Sequence, residues 1–235
     1  MEEKARVLFI TSCGFNSITG GGITFRNLFK GWPKNRIATI HSDNLPQDES
    51  ICQYYFKISN NEKKNFFHKL NSKIKEDSIN PKISKNRINL FSQIIKIIKN
   101  FIRGDSIPQK FLFSKELKNF LYDFKPTVIY SILGSNFIMS AVDQIQEELN
   151  VPLIIHIMDD WPSTLYKKGI FAIFERQKMK YLLNKIISKS NTCLSICDFM
   201  SKAYHKRYGR EFIQFQNLID INNVQINNHK SSKNN

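Results

Sequence analysis

The chain alternates between short apolar runs and longer stretches in which apolar residues return every three or four positions. Residues 6–11, with Val7, Leu8, Phe9 and Ile10 in succession, read as a buried parallel strand, because a strand covered on both faces has no polar side to display. Five further runs read the same way, at residues 37–41, 127–131, 153–157, 192–196 and 212–215. Helical spacing over residues 24–31, 115–124, 136–149, 169–188 and 198–208 fills most of the gaps, with Asp198 as the N-cap of the last. This rhythm predicts an α/β domain built on a doubly wound parallel sheet with helices on both faces. Ligands of such sheets bind at the carboxyl ends of the strands, which directs attention to the loops after Thr11, His41, Ser131, Ile157 and Ile196.

One region breaks the rhythm. Residues 44–110 are rich in lysine and poor in strand signals, and read as an insertion between two strands. Inside it, residues 88–103 divide helically, with Phe91, Ile94, Ile95, Ile98 and Ile102 opposite Gln93, Lys96, Lys99, Asn100 and Arg103. Two readings stand open: a helix that covers the sheet, or one that lies on an anionic membrane surface. Residues 222–235 carry few apolar side chains and read as a frayed tail.

Charge narrows the range of partners. Lys and Arg number 35 against 20 Asp and Glu, and the formal net charge of +15 favours something anionic. Aromatic and basic residues are not interleaved in any nucleic-acid-binding pattern, so nucleic acid is not the expected partner. No apolar run approaches the ~20 residues that span a bilayer. Met1-Glu2-Glu3-Lys4 leads straight into the first strand without a signal-peptide core. The expected location is therefore the cytoplasm, with peripheral attachment to the inner face of the membrane as a variant. Cys13, Cys52, Cys193 and Cys197 lack metal or redox spacing and read as reduced, buried thiols.

Two constellations carry candidate chemistry. Gly20, Gly21 and Gly22, followed by Thr24, sit just before a helix-like segment, where a bare backbone and a helix dipole favour a phosphate or a sugar oxygen. Gly20 and Gly22 also imitate the start of a dinucleotide fingerprint, with Asp43 near the place of its ribose-binding acid. Against that, Phe25 occupies the third glycine position, and a loop of about eight residues separates Thr11 from Gly20. A loop that merely turns the chain is the plain alternative. The second constellation is His156-Ile157-Met158-Asp159-Asp160-Trp161-Pro162, at the exit of an inner strand. Strand parity puts His156, Met158 and Asp160 on one face and Asp159 on the other. Carboxylates there suit sugar hydroxyls, while a capping aspartate and a satisfied core histidine are the plainer readings.

A wider set of segments now falls into line: Val7-Leu8-Phe9-Ile10-Thr11 with Gly20-Gly21-Gly22-Ile23, then Lys125-Pro126-Thr127-Val128-Ile129-Tyr130, then Val151-Pro152-Leu153-Ile154-Ile155 leading to Asp159-Asp160-Trp161. It continues through Ile196-Cys197-Asp198-Phe199-Met200, Tyr204 and Tyr208-Gly209 to Asn217-Leu218-Ile219-Asp220. In combination these resemble the N-terminal domain of a family 4 type glycosyltransferase with the GT-B fold. The resemblance implies a Rossmann-like acceptor-side domain over residues 1–220, with the crossing to a donor-binding domain at 217–220 and residues 221–235 as a tail or the start of that domain. It implies sugar transfer from a nucleotide-sugar donor to a lipid-linked or saccharide acceptor in cell-envelope or polysaccharide synthesis, with no cofactor and no obligatory metal. Gly20, Gly21, Gly22 and Thr24 would approach the donor phosphates or substrate, and Asp159, Asp160 and His156 would line the transfer region.

The chain also departs from that pattern. Met158 stands where many relatives carry a histidine, and Cys197 stands where a serine is frequent. The paired-glutamate signature of the donor domain and its diphosphate-holding basic residues do not appear. The isolated domain is then expected to be inactive unless a partner chain supplies the donor domain. A non-catalytic or split-enzyme binding module is the competing expectation, and a nicotinamide-dependent enzyme the third.

Overall fold

All four residues of β1 (Val7–Ile10) are buried, and the strand lies between β2 (Ile37–His41) and β6 (Val128–Ser131), parallel to both. The computed structural model describes residues 4–65, 108–169 and 171–216. The remaining described elements are α1 (Gly20–Leu28), a 3-10 turn (Lys34–Arg36), β3 (Tyr54–Lys57), β4 (Lys63–Asn65), β5 (Gln109–Phe111), α2 (Lys115–Phe124), α3 (Asn136–Leu149), β7 (Leu153–Ile157), α4 (Trp161–Thr164), α5 (Ala172–Lys189), β8 (Thr192–Ser195), α6 (Asp198–Tyr208) and β9 (Ile213–Gln214). Seven strands form one parallel sheet in the order β3-β2-β1-β6-β7-β8-β9, and β4 and β5 pair antiparallel beside it. The chain works outward from β1 in one direction and from β6 in the other, which is the doubly wound, Rossmann-like arrangement.

Contacts place helices on both faces. Phe9 and Tyr130 sit side by side in the register and carry Phe25 of α1 and its C-cap Phe29, with ring centroids 5.1 and 5.2 Å from Phe9. Tyr54 and Phe56 of β3 point the other way and meet Phe124 and Phe120 of α2 at 5.4 and 5.3 Å. On the far half of the sheet α3 packs on α5. Buried Asn136 donates from Nδ2 to the Glu175 carboxylate at 2.6 Å, and Lys185 and Lys189 reach Asp143 and Glu147.

Helix ends follow local chemistry. Thr19, Ser114 and Ser135 each accept a backbone N–H in the first turn of α1, α2 and α3. Lys125, Asn150 and Gly209 close α2, α3 and α6 in the left-handed region, where glycine is at no disadvantage and asparagine is tolerated.

Four expectations need correction. The insertion does contain a sheet strand: Tyr54-Tyr55-Phe56-Lys57 forms the edge strand β3, and Lys63–Asn65 and Gln109–Phe111 pair nearby. An edge strand is half exposed, so its pattern lacks the continuous apolar run of a central one. The triple glycine does not precede α1 but forms its first turn. Asp198 is the first helical residue of α6, with Cys197 as an N-cap that makes no side-chain bond; the Asp198 carboxylate pairs instead with Lys202 at 2.6 Å. All four cysteines are free, yet only Cys52 and Cys193 are buried. The amphipathic stretch 88–103, the crossing 217–220 and the tail 222–235 lie outside the described residues.

Candidate functional site

A cleft of about 680 Å³ opens at the carboxyl edge of the sheet, where β1 and β6 lead the chain in opposite directions. Thr11, Ser12 and Cys13 enter it from β1, Ile132 and Gly134 from β6, Met158 and Asp159 from β7, and Ile196 from β8. Gly21, Thr24 and Phe25 of α1 form one wall, and Trp161, Thr164 and Leu165 another.

The β1–α1 loop is held from within. Asn16 is buried, and its Oδ1 accepts from the Ile18 and Thr19 amides at 3.0 and 2.8 Å and from the Thr19 hydroxyl at 3.0 Å. Its Nδ2 donates to the Gly14 carbonyl at 3.1 Å and to Cys13 Sγ at 3.3 Å. Thr19 Oγ1 then accepts from the Gly22 amide at 3.1 Å. A Cβ at Gly22 would overlap the Asn16 side-chain amide, so this glycine makes room for asparagine rather than for a ligand. A Cβ at Gly21 would meet only ordinary van der Waals contact, with the Phe25 ring 3.7 Å and Cys13 Sγ 4.0 Å away, and Gly21 lines the cleft. Gly20 borders open space and is not among the lining residues. Sequence reasoning missed Asn16, although an asparagine three positions before a helix-capping threonine is a recognisable loop-closing signal.

The dinucleotide reading loses its acid here. Asp43 accepts from the Gly14 amide at 2.7 Å and from Gln47 Nε2 at 2.9 Å, and lies 3.1 Å from His41 Nδ1. Burial alone would raise the Asp43 pKa, but the Gly14 amide and His41 outweigh it and the pKa is lowered. Burial lowers that of His41, with Asp43 opposing. Phe25, at the third glycine position, is buried against Phe9.

The β7–α4 turn is held from a distance. Asp159 faces the cleft, whereas Asp160 accepts from the Arg207 guanidinium at 2.9 Å and the Tyr204 hydroxyl at 3.1 Å, both on α6. Burial pushes the Asp160 pKa up, and bonds from Ser163, Arg207 and Tyr204 outweigh it, leaving it lowered. The strand ends at Ile157, so alternation does not carry through the turn: Met158 and Asp159 both reach the cleft, and Asp160 does not. His156 lies within β7, 1% exposed, with Nδ1 2.7 Å from the Tyr130 hydroxyl and Nε2 without a hydrogen-bond partner among the described residues. Burial lowers its pKa to about 4, against partial opposition from the Phe215 backbone. A neutral histidine beneath the sheet's edge belongs to packing rather than to the cleft.

The cleft thus brings together Gly21, Thr24 and Asp159 of the predicted residues and leaves Gly20, Gly22, Asp160 and His156 outside its lining. No Lys, Arg or His lines it among the described residues. No group of His, Cys, Asp and Glu among them could hold a metal ion, and no described helix is long and apolar enough to cross a membrane. No protein-family description and no curated protein matches the chain, so its chemistry is read from the cleft itself.

Proposed function

We propose that this chain provides the acceptor-side domain of a glycosyltransferase of the GT-B type, which moves a sugar from a nucleotide-sugar to a saccharide or lipid-linked acceptor. The observation that carries the reading is the lining of the cleft: hydroxyls from Thr11, Ser12, Thr24 and Thr164, one carboxylate from Asp159, apolar walls and no cation among the described residues. Such a lining suits a neutral ligand rich in hydroxyl groups. Asp159 accepts and orients its hydroxyls, Trp161, Phe25 and Ile132 cover its apolar faces, and the open backbone at Gly21 admits it closely.

The same lining suits a diphosphate poorly. Apart from the amides at the start of α1, it offers no positive charge, and Asp159 repels. The donor's diphosphate is therefore assigned to a second domain facing the cleft. Holding donor and acceptor together in such a cleft is worth roughly 7–11 kcal/mol in well-oriented systems, so transfer by residues 1–235 unaccompanied should be undetectable.

The test is amide chemical-shift mapping with a panel of saccharides, nucleotide-sugars and NAD. Saccharides should perturb Gly21, Thr24 and Asp159, and Asp159→Asn should abolish the response with the fold intact. NAD binding at Gly20 to Gly22 with no saccharide response would replace this reading by the dinucleotide one.

A further inference from the structure

Among the described residues three other than glycine take a left-handed backbone, and they are not held alike. Lys125 and Asn150 cap helices, and their amides close onto the carbonyls of Leu121 and Gln146 at 2.9 and 2.8 Å. Tyr166, at φ 54°, follows the short helix α4 and is held through its side chain. Its hydroxyl is buried and accepts from the Asn136 amide at 2.8 Å. That bond joins two lips of the cleft, since Ile132 and Gly134 line it just before Asn136, and Trp161, Thr164 and Leu165 line it just before Tyr166. Behind the bond lies a polar pair. Asn136 Nδ2 donates to the Glu175 carbonyl at 2.8 Å and to its carboxylate at 2.6 Å, while Asn136 Oδ1 and Glu175 Oε1 are buried with no hydrogen-bond partner among the described residues. Tyr166 shares their surroundings: burial pushes its pKa up to about 12, with the Asn136 amide opposing and the Glu175 charge adding to the rise.

We infer that Tyr166 is the catch of a lid: residues 161–166 close over the cleft while its hydroxyl holds the Asn136 amide, and swing open when that bond breaks. Three features raise the energy of the closed form, and opening relieves each of them. A tyrosine in the left-handed region is strained, and such strain persists only where its surroundings impose it. The two buried acceptors lack donors, and water reaches them once Tyr166 withdraws. Against these stand the hydroxyl–amide bond and the burial of Trp161 and Tyr166. Opposing terms gathered on so few residues make an element with two accessible positions rather than one fixed wall. At its other end the segment is tethered by Asp160 to Arg207, so it moves as a strap fixed near 160 and released at 166. The inference rests on the cleft as the ligand site but not on the ligand's identity. Its readouts use no saccharide, so its failure and that of the glycosyltransferase reading are distinguishable.

The experiment is amide hydrogen exchange on the full chain, read at Thr164 and Leu165, whose amides bond to the Asp160 and Trp161 carbonyls and not to Tyr166. In the wild type both should exchange faster than the amides of β6 and β7, through local opening. Tyr166→Phe keeps the ring and loses the bond, and should speed exchange at both positions about fivefold with β6 and β7 unchanged. Glu175→Gln should act in the opposite direction, because its new N–H can serve Asn136 Oδ1 and the closed form then loses its unpaired acceptors. A contact of purely structural value would loosen on either change. A second measurement is acrylamide quenching of Trp161, with Trp32→Phe removing the other tryptophan of the chain. Quenching should be least in Glu175→Gln and greatest in Tyr166→Phe. Four results would overturn the inference: unchanged exchange at Thr164 and Leu165 in Tyr166→Phe, an equal rise in β6 and β7, faster exchange in Glu175→Gln, or the same quenching of Trp161 in all three proteins.

Discussion

The two loops that face each other across the cleft are fastened in opposite ways. The β1–α1 loop closes on itself through the amide of Asn16 and the hydroxyl of Thr19, within a few residues of sequence. The β7–α4 turn is tied by the charged pair of Asp160 with Arg207, 47 residues away, and is fed by a strand carrying a buried histidine. Each loop also divides two adjacent identical residues between two tasks. Gly22 packs while Gly21 stays open, and Asp160 anchors while Asp159 faces the cleft. A repeated residue in a motif is therefore weak grounds for giving both copies the same role.

Because the first loop is held by neutral groups and the second is fed by a strand that carries a titrating histidine, acid should separate the two, and this carries the largest expected effect. The folded-state pKa of His156 is lowered from 6.5 to about 4, so below 6.5 the unfolded chain takes up a proton that the folded chain refuses. Stability from this residue is fully present above pH 6.5 and is lost as the pH falls toward about 4, in total about 3 kcal/mol. Urea denaturation across that window should show the decline. His156→Gln, which keeps a partner for the Tyr130 hydroxyl, should flatten it; an equally steep decline in the variant would move the acid sensitivity elsewhere.

The glycine pair offers the next largest contrast. Gly22→Ala forces a methyl group into Asn16 and should destabilise the fold by about 2 kcal/mol in denaturant titrations. Gly21→Ala meets only ordinary contact and gains helix propensity, so stability should hold or rise by about 0.5 kcal/mol while saccharide binding weakens. Equal losses at the two positions would end the division of labour between them.

The smallest stability effect belongs to the distant tie. Asp160 and Arg207 are 37% and 39% exposed, and solvent screening limits the pair to under about 1 kcal/mol. Its value lies in fixing the turn, so Asp160→Asn should reduce saccharide affinity without a matching loss of stability. Calorimetric titration that found affinity unchanged would mean that Asp159 holds its place without help.

Much of this was legible from the residues alone, and the failures share a cause. The central strands declared themselves because burial on both faces demands a continuous apolar run, as Val7 to Ile10 provide. Residues 54–57 escaped notice because an edge strand satisfies half its surface with water and rests on Phe120 and Phe124 for the remainder. Helix ends were legible to within a few residues where Ser or Thr caps stand in the sequence. They slipped at the glycines, because propensity argues against a helix start there and the Asn16 and Thr19 bonds override it.

Sequence by itself determined the parallel α/β class, the carboxyl edge of the sheet as the place to look, and the loops that meet there, since all three follow from the period and order of apolar residues. Which member of each pair serves the cleft was decided only by tertiary structure. Strand parity ends with the strand at Ile157, and beyond it the direction of a side chain depends on partners supplied from afar: Arg207 and Tyr204 draw Asp160 away, and Asn16 fills the space beside Gly22. Periodicity reports the regular backbone, whereas a site is built where that regularity stops.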